Sequence, residues 1–282
     1  MSVGDTDPAH PCLLYVSNRF DLTIEQRFWF AFLYATTYCG ATAYYIYNEF
    51  PDFELVDFGR LEKWWKTNRQ TLVFQSDRAW IRSRDQFCDV VRSYYNLIGG
   101  NNQALFYSTL KTPDKRINYD NAFKEFSKVY QFGRFTLFNY LESVFVLTGF
   151  PMTPTGLDLK HSTSSRNGLC YALGKDEFIT HRYDKTSKKK LSKGVFNALA
   201  KGFDNLYSDI LKTRANDTIW NIETTLCAYK KYKKNKRWIG YYIERQRKEI
   251  ARMEKNITEG VDWSVLWDFR KEYFDKKWLK EC

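Results

Sequence analysis

The sequence predicts a mainly α fold with few or no strands. Apolar residues recur at helical spacing behind capping residues, glycines close those runs, and convincing period-two alternation is scarce.

Thr23-Ile24-Glu25-Gln26 has the form of a capping box, and Ile24, Phe28, Ala31, Phe32 and Ala35 follow at helical spacing. A helix of about 14 residues is expected there. Tyr44 to Phe50 is an apolar and aromatic segment stopped by Pro51, and Phe58 to Lys66, with Trp64-Trp65, reads as a short helix. The basic stretch Arg78 to Arg84 leads into Phe87 to Leu97, whose Phe87, Val90, Val91 and Tyr94 fit one helix face closed by Gly99-Gly100. Lys111 to Arg116 reads as a charged turn, Asn121 to Val129 as a helix, and Leu137 to Leu147 as a strongly apolar helix ending at Gly149-Phe150-Pro151. Met152 to Gly168 is rich in Thr, Ser, Pro and Gly and reads as an ordered loop, the kind of segment that often carries chemistry on a helical scaffold. Lys185 to Lys193 is a basic connection, and Phe196 to Leu211 and Ile219 to Tyr229 are further helices. Ile243, Ile250 and Met253 are spaced to bury one face of a later helix, with Arg245, Arg247 and Lys248 facing elsewhere. The expected organisation is an N-terminal extension over 1–20, a helical domain over 21–256, divisible into two subdomains flanking a cleft, and a C-terminal helix or tail over 257–282.

The 282 residues are 44% hydrophobic, enough for a packed core. The 44 Lys and Arg outnumber the 33 Asp and Glu, and the net charge of +11 favours a polyanionic partner. Aromatic residues make up 18% and offer core volume as well as flat surfaces on which bases can stack. The cysteines Cys12, Cys39, Cys88, Cys170, Cys227 and Cys282 stand singly, which suggests neither a metal site nor a disulfide framework and fits a reducing compartment. No secretory leader and no membrane span are expected. The phosphate-loop and dinucleotide glycine motifs are missing, so no cofactor is expected.

Val129-Tyr-Gln-Phe-Gly133-Arg134-Phe-Thr136, leading into an apolar helix, is similar to the second half of a helix-hairpin-helix motif. There a glycine lets backbone amides approach a DNA phosphate at a helix N-terminus. An ordinary helix-to-helix turn accounts for the same pattern. In helix-hairpin-helix DNA glycosylases a catalytic aspartate follows the glycine turn, and Asp158 lies 25 residues after Gly133. The lysine nucleophile that many of those enzymes use has no counterpart here. Lys230, Lys231, Lys233, Lys234, Lys236 and Arg237, with Tyr232 and Trp238 among them, form a candidate DNA-backbone contact. Its rings either stack on a displaced base or anchor the loop. Chemistry on a base atom within a duplex requires the nucleotide to be flipped out.

A wider set of blocks resembles the phage amino acid:DNA transferases, also called α-glutamyl/putrescinyl thymine pyrophosphorylases. It comprises Gly133-Arg-Phe-Thr136 with Tyr140-Leu-Glu142, Leu157-Asp158-Leu159, Ser165-Arg166-Asn167-Gly-Leu-Cys170 with Ala172-Leu-Gly174, Glu223-Thr-Thr-Leu-Cys227, and Gly240-Tyr-Tyr-Ile-Glu244-Arg245. Glu244 stands where the family pattern has an aspartate. The resemblance implies a helical, glycosylase-like transferase of thymine hypermodification, working in the cytoplasm of an infected bacterium. Such an enzyme displaces phosphate or pyrophosphate from activated 5-hydroxymethyluracil in DNA with an amino acid or polyamine. A kinase that activates the hydroxymethyl group would be its pathway partner.

That reaction needs donors for the leaving oxygens, a base for the incoming amine and a site shielded from water. Arg134, Arg166 and Arg245 are candidate phosphate clamps, with Asn167 and Tyr140 as further substrate contacts. Asp158 is the candidate general base or the group that stabilises positive charge on the methylene carbon. His161 or Glu223 would deprotonate or orient the amine, and Glu244 is a further candidate carboxylate. Gly133, Thr136 and the 230–237 basic run are the candidate DNA contacts. Two competing readings use the same residues: a glycosylase that excises modified bases, and a non-catalytic DNA-binding protein.

Overall fold

A computed structural model describes residues 7–75, 86–100, 102–180 and 191–279. Its helices in chain order are α1 (Ala9–Arg19), α2 (Ile24–Thr37), α3 (Gly40–Glu49), α4 (Phe58–Asn68), α5 (Gln86–Ile98), α6 (Gln103–Leu110), α7 (Lys115–Phe126), α8 (Arg134–Thr148), α9 (Thr163–Ala172), α10 (Lys193–Thr213), α11 (Ile219–Lys233), α12 (Tyr241–Asn256), α13 (Ser264–Tyr273) and α14 (Lys276–Leu279). Two short 3-10 turns, Phe53–Leu55 and Asp176–Phe178, complete the set, and the described residues contain no strand, as the mainly α reading expects. No helix among them is long and apolar enough to cross a membrane. The basic stretch at 78–84 and residues 185–190 of the basic connection lie outside the described residues.

The chain forms two compact units. The first takes in Pro8–Met152 and resumes at Ile243, so the division falls inside α12; the second is Thr153–Tyr242.

In the first unit α2 runs through the core. The Thr23 hydroxyl and the Gln26 side chain cap its start reciprocally, and every residue from Phe28 to Thr37 is buried. A helix apolar on all sides is stable only when packed on all sides. α8 is its principal neighbour. Phe32 of α2 stacks on Tyr94 of α5 at 4.1 Å and on Phe132, in the turn before α8, at 5.5 Å. The hydroxyls of Tyr94 and Tyr140 meet at 2.9 Å, and Tyr94 donates to Gln103 Oε1 at 2.7 Å, so these two buried hydroxyls are both partnered. The Glu25 carboxylate caps α6 by accepting from the Gln103 and Ala104 amides at 2.9 and 2.8 Å. The stretch read as an extension contains α1, which packs against α8 and α13. α1 places His10 Nε2 3.2 Å from Ser143 Oγ in the interior.

The second unit is built on a close pairing of α9 and α11. Leu159, Leu169, Cys170, Leu199, Phe203, Ile219, Ile222 and Leu226 form its core. Gly168 makes the pairing possible, because a Cβ there would lie 2.0 Å from the Leu226 carbonyl oxygen.

Several boundaries differ from the sequence reading. Thr163–Ala172 is helical although the polar stretch reads as loop to Gly168, because the contact between α9 and α11 outweighs the weak helix propensity of Thr, Ser and Gly. Lys115 and Arg116 open α7 instead of ending a turn, since the Asp114 carboxylate caps the Arg116 and Ile117 amides. α5 stops at Gly99 and Gly100, both at positive φ, in agreement with the expected stop signal.

Candidate active site and nucleic-acid interface

In the second unit, Leu159 is buried in the core and holds the turn that carries Asp158 and His161. The His161 and Ser162 amides return to the Asp158 carbonyl at 3.2 and 2.7 Å. This turn sets His161 Nδ1 2.9 Å from Asp158 Oδ1 and 3.2 Å from Oδ2. The imidazole is 62% exposed and the carboxylate 36% exposed, so the pair faces solvent. A carboxylate on Nδ1 fixes the tautomer that leaves Nε2 as the basic atom.

Arg166, a candidate phosphate clamp, is buried under this turn. Its Nη1 donates to the Leu159 carbonyl at 2.7 Å and the Lys160 carbonyl at 3.4 Å, and its Nη2 donates to Thr180 Oγ1 at 2.7 Å. Burial pulls the guanidinium below its ordinary pKa. Asn167 Nδ2 donates to the Thr180 carbonyl at 2.6 Å, and the Thr180 amide donates back to Asn167 Oδ1 at 3.3 Å. The two side chains therefore fasten the 158–161 turn and residue 180 to α9, and Thr180 joins the site without a sequence signal.

Glu223, Cys227 and Lys230 share one face of α11, and the close approach at Gly168 brings the serines of α9 onto it. Ser165 Oγ donates to Ser162 Oγ at 2.6 Å, and Ser162 Oγ donates to Glu223 Oε1 at 3.2 Å. The Cys227 thiol points to the same oxygen at 3.5 Å, and Lys230 Nζ donates to Ser164 Oγ at 2.7 Å. Burial, with help from Glu223, pushes the Cys227 thiol up, away from thiolate chemistry. Burial also lowers Lys230, and the neighbouring cations Lys234 and Arg237 push it the same way. The spacing of 223, 227 and 230 was the available signal for this face, but the serines that complete it read as loop formers.

Lys230, Lys231 and Lys233 occupy the last turn of α11. Asn235, in the left-handed region, reverses the chain, and the Lys236 amide closes on the Lys231 carbonyl at 2.9 Å. Lys233 and Lys236 are exposed, whereas Lys231, Lys234 and Arg237 are partly covered. Arg237 lies 4.3 Å over the Tyr241 ring and donates to the Tyr242 hydroxyl at 2.6 Å. Tyr232 and Trp238 are about half exposed.

The remaining candidates belong to the first unit. Gln131, Gly133, Arg134, Phe135 and Thr136 line an open depression of about 470 Å³ at the start of α8. The left-handed residue of that turn is Gln131; Gly133 has φ −70°, and a Cβ on it would meet nothing within 4 Å. Neither backbone strain nor packing therefore calls for glycine at 133. No side chain caps α8 there. Tyr140 lies in the aromatic core at 0% exposure, where burial holds its hydroxyl well above the usual range, so it packs the interior instead of lining a surface. Arg245 lies over Tyr38 at 5.4 Å and 3.4 Å from Glu249, and Tyr38 meets Phe135 edge-on at 5.6 Å. That chain of contacts leads from α12 to the rim of the depression. Glu244 accepts both Arg247 donors at 2.8 Å, and these hydrogen bonds hold its carboxyl down at about 2. Among the described residues no group of His, Cys, Asp and Glu gathers as metal ligands do.

Compared with known proteins, residues 1–237 match the family described as amino acid:DNA transferase. A serinyltransferase of Salmonella phage ViI is 27% identical over 262 residues, which cover 88% of this chain and 63% of that protein. The chain thus spans less than two thirds of the length of that relative. No solved structure matches.

Proposed function

Because the chain belongs to the amino acid:DNA transferase family, we propose that it joins an amino acid or related amine to DNA at the exocyclic methylene of activated 5-hydroxymethyluracil. The observation that carries the reading is the solvent-facing Asp158–His161 pair, held by Arg166. The nucleophile of the donor attacks the methylene carbon as the C–O bond to phosphate or pyrophosphate breaks, and the leaving group takes the electron pair. The nucleophile's proton passes to His161 Nε2, and Asp158 stabilises the imidazolium that forms. Glu223 serves the donor's ammonium end.

Arg134 and the α8 amides around the depression suit a phosphate, because a helix N-terminus favours negative charge. The reaction presupposes a kinase that activates the base beforehand. Serine is the first donor to try, in view of the name of the phage ViI relative.

The test uses duplex DNA carrying 5-pyrophosphomethyluracil, each candidate donor in turn, and mass spectrometry of the released nucleosides. The expected result is a nucleoside enlarged by one donor, together with free pyrophosphate. Asp158→Asn should reduce the yield by about 100-fold or more, because the general-base imidazole loses the carboxylate that orients it and stabilises its charged form, with DNA affinity kept within about threefold. Free base or abasic sites would point instead to excision, and binding with no product from any donor would overturn the transfer reading.

A further inference from the structure

We propose that Trp238 and Ile239 form a wedge that enters the base stack beside the target nucleotide while the 230–237 cations hold the flanking phosphates. The inference rests on the reading that duplex DNA is the substrate.

Ile239 is 77% exposed and Trp238 52%, which makes them adjacent large apolar side chains on the surface. They follow directly on Lys230, Lys231, Lys233, Lys234, Lys236 and Arg237. Large apolar groups in water are ordinarily disfavoured, and a pair placed at the end of a cationic run has the composition of a side-chain wedge for a polyanionic duplex. Leu55 is as exposed, at 78%, but it stands among Asp52, Glu54 and Asp57, where phosphates would be repelled. Charge therefore selects the 238–239 tip for DNA.

The tip is also pre-shaped. The Trp238 ring folds over Gly240 so closely that a Cβ on that glycine would lie 1.9 Å from Cζ3, and the Tyr241 amide closes the turn on the Trp238 carbonyl at 3.1 Å. Arg237 is held against Tyr241 and Tyr242, which fixes a cation at the base of the wedge. A held ring loses less freedom on insertion than a mobile one. Insertion unstacks one step, which lowers the cost of extruding the neighbouring pyrimidine.

The experiment places 2-aminopurine next to 5-hydroxymethyluracil in a duplex and follows its fluorescence as the full-length protein is added to saturation. Wild type is expected to raise the signal severalfold. Trp238→Ala/Ile239→Ala should lose at least four-fifths of that rise, with the dissociation constant raised less than threefold and its salt dependence unchanged. Lys233→Gln/Lys234→Gln should weaken binding yet reach the full rise at saturation. Ile239→Ser, at the more exposed of the two wedge positions, keeps the test open if the double variant is unstable, and it should lose at least half of the rise. On activated substrate the double variant should lose at least tenfold in transfer to a perfect duplex and regain most of it when the target lies in an unpaired bubble. Absence of a rise with wild type, or a full rise with the double variant, would overturn the wedge and leave 238–239 as a protein-binding patch. A wild-type rise with no transfer product would keep the wedge and overturn the transferase reading instead.

Discussion

At Asp158 and His161 the separation of three residues placed both groups in one turn already in the sequence, but their direct contact depends on Leu159 being buried between them. The sequence offers Arg166 as a phosphate clamp because arginine beside a polar loop has that chemistry. The structure turns its donors onto the carbonyls at 159 and 160, a partnership that no local pattern encodes. Tyr140 shows the same limit: the sequence offers it as a substrate contact, yet it is a core residue. Tyr140→Phe removes one buried hydroxyl while Tyr94 keeps its bond to Gln103, so a loss of about 1 kcal/mol is expected in denaturant unfolding, with the transfer rate unchanged. A collapse in rate at unchanged stability would return Tyr140 to the site. For Glu244 the folded carboxyl titrates near 2 against an ordinary 4.5, so its pairing with Arg247 adds stability above about pH 4.5 and loses it as the pH falls through 2. In melting curves, Glu244→Gln should lie below wild type at pH 7, and the gap should close toward pH 2.

Among the elements, helices with local signals were legible. The capping box of α2 and the Gly99-Gly100 stop of α5 appear where the residues put them, because both satisfy the helix ends from within the segment. α9 was not legible. Its Thr, Ser and Gly content argues for a loop, and what makes it a helix is the face it shares with α11, far along the chain. Gly168 makes the competition measurable. In an isolated helix Gly→Ala is worth about 1 kcal/mol of added stability, whereas here the new Cβ would sit 2.0 Å from the Leu226 oxygen. Overpacking of that kind costs about 1–3 kcal/mol, so Gly168→Ala should destabilise the second unit in thermal unfolding. It should also weaken transfer by parting Ser162 from Glu223. A stabilised variant with full activity would mean that α9 and α11 can separate freely.

For the whole molecule, the excess of basic residues predicts how binding responds to salt. Each phosphate contact contributes about −0.9 to the slope of log affinity against log salt on duplex DNA. Changing Lys231, Lys233, Lys234 and Lys236 to Gln should flatten that slope by about 3–4 if all touch the backbone. An unchanged slope would show the run to be merely solvated. The mainly α class was legible because it sums many local signals, whereas the return of α12 and α13 to α1 was not, since it rests on distant pairings such as Gln246 to the Pro8 carbonyl and Tyr15 to Glu272.

The first unit is discontinuous: it is left at Met152 and rejoined only at Ile243. During synthesis, the amino-terminal bundle must therefore wait on the ribosome with one flank uncovered. By then the segment from Thr153 to Tyr242 has emerged in full and can mature before the unit that began first.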